Sequence, residues 1–154
     1  MQLDPIDKAI VNAIRWDAKI SLQSVARKIH TPLSTVHHRI KKFEEDGIIK
    51  RYEAVIDHTK LERPIQAFIM IQANNTTPDG KKIDQQDVIE KIKKFSAVEE
   101  AFIITGGHDM MVRVRVKDLD EMNNLLTDKL RKLDGVGSTQ TLMVLKESGH
   151  KPSI

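Results

Sequence analysis

The chain has 154 residues, 40% of them hydrophobic, a formal net charge of +3 and no cysteine. Disulfides, thiol catalysis and cysteine-based zinc sites are excluded, and the longest apolar run, residues 67–71, is too short to span a membrane. Residues 1–60 contain 11 Lys or Arg and 8 Asp or Glu, whereas residues 61–154 contain 14 of each. The excess positive charge therefore lies in the N-terminal part, which favours a nucleic-acid partner for that part.

The N-terminal part is predicted to begin with a helix capped by Asp4. Pro5 would occupy the first helical position, and the negative charge of Asp7 would lie near the positive end of the helix dipole. Apolar residues recur at helical spacing as far as Ile14, and residues 17–19 are predicted to form a turn.

Residues 20–51 are the most informative segment, because they predict two short helices joined by a tight turn. Ser21 is a candidate cap for the first of these helices, and Thr31 for the second, with Pro32 at its first helical position. Gly47 allows the left-handed backbone that commonly ends a helix. This pattern is typical of a helix-turn-helix that binds in the DNA major groove.

The second of these helices has two different faces. Val36, Ile40 and Phe43 recur at helical spacing and predict a buried stripe. The opposite and flanking positions carry hydrogen-bonding groups suited to base edges and charges suited to phosphates. These candidate DNA-binding residues are Ser34, Thr35, His37, His38, Lys41 and Lys42. The alternative is a basic face that is merely solvated, but the short capped helix before it favours DNA contact.

The rest of the chain alternates between strand and helix periodicity. Residues 52–63 predict an extended linker strand, and residues 147–154 a loose tail. Between them, residues 64–146 predict a βαββαβ ferredoxin-like sandwich, so the fold class is α+β, with a winged-helix-like helix-turn-helix domain in residues 1–51. The second helix of the sandwich, residues 119–133, is expected to turn five residues inward: Leu119, Met122, Leu126, Leu130 and Leu133.

A glycine pair followed by His108 and Asp109 joins two predicted strands. Gly106 and Gly107 would free backbone N–H groups to bind an anion such as a carboxylate, while Asp109 would pair with an ammonium group. The alternative is a hairpin turn in which these residues serve backbone geometry alone. Thr139 and Thr141 lie on one face of the last strand and would either line the same pocket or reflect strand propensity.

The order and spacing of several segments resemble the Lrp/AsnC, or feast/famine, transcription regulators over nearly the whole chain. These segments are LDPIDKAIVNAI at 3–14, DAKISLQSVARKI at 17–29, STVHHRIKKFEEDGIIKRYEAVID at 34–57, TGGHD at 105–109 and GVGSTQTLMVL at 135–145. The resemblance implies double-stranded DNA as a partner, a βαββαβ domain that binds a small effector, usually an amino acid, and assembly of homodimers into an octamer.

The interpretation that follows is a cytoplasmic, nucleoid-associated transcription regulator with no cofactor, no metal site and no membrane association. No nucleophile–base pair or phosphate loop stands out, so we expect no enzyme activity. A dimer is expected because residues 52–56 have no hairpin partner nearby in sequence, and a second chain would cover their edges. The alternative is an architectural or small-molecule-binding oligomer whose helical part serves assembly without specific DNA reading.

Overall fold

The computed structural model describes residues 2–77 and 79–147, which divide between residues 56 and 57 into two compact units. Each unit has its own hydrophobic core. The tail predicted for residues 147–154 lies, apart from residue 147, outside the described residues.

The N-terminal unit contains three helices: α1 (Pro5–Trp16), α2 (Leu22–Lys28) and α3 (Leu33–Glu45). The predicted apolar stripes meet in its core, which is formed by Ile10, Ala13, Val25, Ala26, Val36, Ile40 and Phe43. The three side chains of α3 in this core are at most 7% exposed, so the predicted inner face of that helix is confirmed.

Three predicted helix ends are confirmed by their hydrogen bonds and backbone angles. The Asp4 carboxylate accepts from the Asp7 N–H at 2.7 Å, and the Asp4 N–H donates to the Asp7 carboxylate at 2.9 Å, so both N-terminal donors are satisfied. The Ser21 hydroxyl accepts from the Ser24 N–H at 3.1 Å. Gly47 has a φ of +70°, as the end of α3 requires.

The prediction that Thr31 caps α3 is wrong. The Thr31 hydroxyl donates back to the Ile29 carbonyl at 3.2 Å, and Pro32 is the N-cap, with its carbonyl accepting from the Val36 N–H at 3.2 Å. The chain has already reversed at His30, whose φ is +52°. Thr31 therefore stabilises the turn after α2, and α3 begins one residue later than expected.

The predicted linker strand at residues 52–63 is not formed in the single chain. Residues 50–57 have no strand pairing, and His58–Leu61 form a 3-10 turn that Asp57 caps with its carboxylate. The Val55 side chain is fully exposed. Residues 2–77 and 79–147 offer this extended segment no partner strand, which is the physical reason that no strand forms.

The C-terminal unit contains β1 (Ile65–Ala73), α4 (Gln85–Ile92), β2 (Val98–Ile103), β3 (Met110–Val116), α5 (Leu119–Asn124) and β4 (Val136–Met143). The four strands form one antiparallel sheet in the order β2-β3-β1-β4. Side chains of β1 and β3 alternate along each strand, and those at Ala67, Ile69, Ile71, Val112 and Val114 are fully buried with residues of both helices. The predicted βαββαβ order is confirmed.

The second helix of this unit differs from its prediction. α5 continues as a π turn at Leu125–Lys129 and a 3-10 turn at Leu130–Lys132. The π turn spaces Leu125 and Leu130 so that both are buried, although Leu125 was not expected inside. Leu119, which was expected inside, is 66% exposed, because it lies in the first turn, before the part of the helix that packs against the sheet.

Candidate nucleic-acid and effector interfaces

The outer face of α3 carries all six candidate DNA-binding residues in accessible positions. Ser34, His37, His38, Lys41 and Lys42 are exposed, and Thr35 is half-buried. Because the opposite face is sealed into the core, the helix presents this polar surface in one orientation only.

A cluster of charged side chains holds α3 against α1. The Arg39 guanidinium Nη1 lies 2.5 Å from an Asp4 carboxylate oxygen and 2.6 Å from one of Asp7. The Asp7 residue is buried, and Arg39 is about one-quarter exposed. Two carboxylates thus share one cation, which fixes how α3 lies across the start of α1. The hydrogen bond from Arg39, followed by that from the Asp7 N–H, lowers the pKa of the Asp4 carboxyl below its ordinary value.

We expect Asp4→Asn to lower the stability of the protein at pH 7 and to lose this effect in acid. A carboxyl whose pKa is lowered by folding adds stability above its unfolded pKa, near 4, and loses it as the pH falls through the folded value. Asparagine is also a good N-cap, so the substitution removes the charge and keeps the cap. Thermal melts at pH 7 and pH 3 should show a difference between wild type and variant that shrinks in acid; a constant difference would contradict this assignment.

The two lysines of the outer face differ in their surroundings. Lys41 Nζ lies 3.7 Å from the Glu45 carboxylate one turn later, and both side chains are largely exposed. Lys42 has no ion pair within residues 2–77 and 79–147. Such exposed pairs are weak, so a phosphate would compete readily for Lys41.

A shallow concave surface lies between the start of α2 and the first turns of α3. It is lined by Ser21, Leu22, Gln23, Leu33, Ser34 and His37. Two of the predicted base-reading residues, Ser34 and His37, therefore border an apolar patch formed by two leucines.

The hairpin between β2 and β3 contains the predicted effector-binding glycines. Gly106 and Gly107 are exposed, His108 is half-buried, and Gly106 has a φ of +126° that favours glycine. The N–H groups of residues 106–108 donate no hydrogen bond within the part of the chain that the structure describes. They are available to an acceptor from outside.

Asp109 has a different setting from the one expected of a ligand-binding carboxylate. One carboxylate oxygen accepts from the Ala73 N–H at 2.7 Å, and the other is 3.4 Å from the Gln85 side-chain amide. The Asp109 N–H also donates to the Ile71 carbonyl at 3.0 Å. Asp109 thus ties the hairpin to the end of β1. The geometry therefore supports a structural role for this carboxylate over direct pairing with the ammonium group of a ligand.

Thr139 and Thr141 lie on β4, at the sheet edge away from this hairpin. Thr139 pairs with Ile71 and Thr141 with Ile69, and paired residues project to the same face, so both threonines point toward the helix-covered side. Both are half-buried. Because β1 lies between β4 and β3, the threonines and the hairpin belong to different edges of this unit.

The sequence interpretation missed Arg39 and Gln85. Arg39 lies one turn from Val36 and next to Ile40, so it flanks the buried stripe, and a charge there requires an acidic partner. The position of Arg39 beside the buried stripe was therefore the signal in the sequence that could have predicted its ion pair. Nothing local indicated Gln85, because its contact with Asp109 joins residues 24 apart.

Two family models cover most of the chain. A winged helix-turn-helix DNA-binding model matches residues 3–50, and the Lrp/AsnC ligand binding domain matches residues 66–154. An HTH-type transcriptional regulator of Pyrococcus horikoshii is 36% identical over 97% of this chain and 92% of its own length. The chain belongs to the Lrp/AsnC family. The HTH-type transcriptional regulator FL11 of Pyrococcus furiosus is also 36% identical, over 94% of this chain and 90% of its own.

Solved structures of lower sequence identity share the fold of this Lrp/AsnC chain. A transcriptional regulator of Neisseria meningitidis, solved as a complex with L-methionine, has a TM-score of 0.89 and 23% identity, covering 99% of this chain and 96% of that one. AsnC of Escherichia coli has a TM-score of 0.85 and 23% identity, covering 99% of each chain.

These matches confirm the expected family and fold class. The protein is a transcriptional regulator with a helix-turn-helix DNA-binding domain and an Lrp/AsnC ligand-binding domain, and it is not an enzyme. Among the described residues, no helix combines the length and the apolar character needed to cross a bilayer.

Proposed function

We propose that this regulator reads a specific, pseudo-palindromic DNA site in the cytoplasm and that a small effector, an amino acid, changes its binding. The observation that carries the DNA part is the division of α3. Its core side chains and Arg39 hold it in place, while Ser34, Thr35, His37 and His38 face outward to read bases and Lys41 and Lys42 to hold phosphates.

Selection of binding sites from a random duplex library, followed by sequencing, tests this proposal. We expect one enriched motif with two half-sites about 10 base pairs apart or a multiple of that spacing, because a two-fold dimer presents two recognition helices. The His37→Ala/His38→Ala double variant should enrich a different or weaker motif. The proposal fails if the wild type enriches no motif at a salt concentration at which it binds DNA.

Dimer formation is supported by the open face of the sheet. The register places Phe68 opposite Leu142 and Met111 opposite both Met70 and Phe102, so these five side chains share the face not covered by α4 and α5. Phe102 is 40% and Leu142 is 48% exposed. The same face of a second copy would remove this apolar surface from water.

Light scattering coupled to gel filtration measures the assembly directly. We expect a dimer or a multiple of it, up to the octamer that the family resemblance implied. Phe102→Lys/Leu142→Lys should give a monomer, whereas the control Leu119→Lys, at an exposed leucine of the helix layer, should not. A wild type that is monomeric at micromolar concentration would refute the proposal.

The effector proposal rests on the hairpin at residues 105–109. Three adjacent N–H groups there lack acceptors within the described residues, and such groups bind carboxylates. The methionine complex of the Neisseria regulator makes an amino acid a reasonable ligand class. His108 would face the ligand side chain, and Thr139 and Thr141 would contribute only if the pocket were completed by a second subunit. Asp109 would act mainly by positioning the hairpin.

A calorimetric and thermal-shift screen of the twenty amino acids should find a ligand that binds more tightly than about 1 mM, a modest affinity of roughly 4 kcal/mol. Gly107→Ala is the informative variant, since no atom lies within 4 Å of the added methyl and the backbone angle there is ordinary. It should crowd the ligand and weaken binding at least tenfold without changing the melting temperature of the free protein. Unchanged binding in Gly107→Ala would place the pocket elsewhere.

A further inference from the structure

Leu33 is an apolar residue exposed on the DNA-facing side of the N-terminal unit. It is the first residue of α3 and 43% of it is exposed, although Leu is a residue that most often lies in the core. With Leu22 it forms the apolar part of the concave surface that Ser34 and His37 border. None of the contacts that hold α3 to the core requires it.

The position of Leu33 argues against a purely structural role. A hydrophobic staple at this helix start would join the residue before the N-cap, Thr31, to Val36, and Leu33 takes no part in that pair. The N-cap function belongs to Pro32, and the helix start is held by backbone bonds. The side chain of Leu33 is therefore free to meet a partner from outside the chain.

The helical spacing aligns Leu33 with groups already proposed to contact DNA. Leu33, His37 and Lys41 stand at i, i+4 and i+8, so they form one row along the outer side of α3. The row begins at the N-terminal end of the recognition helix, which is the end whose residues reach base edges in helix-turn-helix complexes. Successive residues of the row are about 6 Å apart along the axis, the scale of two base steps.

The major groove offers one apolar group to such a side chain. Among the four base-pair edges only thymine carries a methyl group, at C5, and aliphatic side chains recognise it by contact. We propose that Leu33 is a specificity-determining residue that packs against the C5 methyl of a thymine in each half-site, with Leu22 forming the wall behind it. The inference rests on the proposed reading of DNA by α3 and adds an apolar contact to its polar ones.

Replacing thymine with deoxyuridine in the selected site tests the contact atom by atom, since only the methyl group is lost. Each thymine of the half-site is replaced in turn, symmetrically in both half-sites, and binding is measured for wild type, Leu33→Ala and Leu33→Met. For one thymine we expect the wild type to lose about fourfold in affinity per half-site, or roughly 15-fold in total, as the burial of a methyl group predicts. Leu33→Ala should bind the thymine site and the deoxyuridine site with equal affinity. Leu33→Met should keep most of the wild-type difference in affinity between these two sites.

The control Leu61→Ala, at another exposed leucine, should behave like the wild type. The inference is overturned if no thymine shows the effect in the wild type, if Leu33→Ala keeps it, or if Leu33→Ala weakens binding to random and selected DNA equally. A wild type with no preferred site overturns both this inference and the proposed function. A preferred site without methyl dependence overturns the Leu33 contact alone.

Discussion

Lys41→Ala/Lys42→Ala is expected to weaken binding to every duplex DNA by roughly a thousandfold at 0.15 M salt, and to flatten the salt dependence. Each lost phosphate contact lowers the slope of log K against log salt by about 0.9, and a dimer loses four such contacts. The slope should therefore fall by about 3.6, while the preferred sequence stays the same. Binding isotherms between 0.1 and 0.4 M salt, on selected and random duplexes, measure both quantities.

The matched control is Lys91→Ala/Lys94→Ala, which removes two exposed lysines of the C-terminal unit, one in the last turn of α4 and one in the turn that follows it. It should leave the salt slope unchanged, because α4 has no proposed DNA contact. Should the α3 variant keep its salt slope but select another sequence, Lys41 and Lys42 would be base-reading residues and not phosphate ligands.

Gly135→Ala is expected to destabilise the C-terminal unit by about 3 kcal/mol, the sum of a left-handed backbone penalty and an overpacked core. Gly135 has a φ of +94°, and an added Cβ would lie 2.5 Å from Val88 Cγ2 and 2.8 Å from Ile83 Cγ2. Both neighbours belong to the packing around α4, so they cannot move without opening the core. The melting temperature of this unit should fall by more than about 10 °C.

Gly80→Ala separates the backbone strain of Gly135→Ala from its overpacking of the core. Gly80 has a similar φ of +81°, but no atom lies within 4 Å of the added methyl. It should cost only the backbone strain, about 1–2 kcal/mol, measured by urea unfolding of both variants. Equal losses in the two variants would show that the contact with Val88 and Ile83 relaxes freely, contrary to the geometry.

The sequence correctly predicted the strands and helix caps that depend only on residues close together in the chain. β1 was expected at residues 65–73 and is found there, because its buried side chains alternate with period two. The caps at Asp4 and Ser21 were correct for a similar reason, since each acceptor lies three residues from its donor. Such features need no knowledge of the remainder of the chain.

The errors have non-local causes or arise from small changes in helix geometry. Nothing in the periodicity of residues 119–133 indicates a π turn, and its wider spacing brings Leu125 inside. Thr31 was a chemically good cap, but its hydroxyl found a nearer acceptor at Ile29. The linker strand predicted for residues 52–63 is interrupted by the 3-10 turn at His58–Leu61, and its pairing with a second chain stays a prediction.

In the candidate sites too, the sequence predicted what depends on local spacing and missed what depends on contacts between distant residues. Helical spacing was sufficient to select the exposed residues of α3, since exposure follows from the face opposite the core. It could not show that Asp109 is engaged by Ala73 and Gln85, because those residues are distant in sequence. The glycine pair marked the hairpin correctly, whereas the role of the neighbouring carboxylate depended on the tertiary fold.

The separation of α3 into an anchored face and a reading face also bears on how such regulators diversify. Val36, Arg39, Ile40 and Phe43 keep the helix in place, and none of the proposed base-reading residues belongs to the buried core or to the Arg39 ion cluster. Duplicated genes could therefore exchange the outer residues and acquire new target promoters without crossing a stability threshold. Each copy would keep Arg39 and its ion pairs between α1 and α3, while the set of genes that each copy regulates changes.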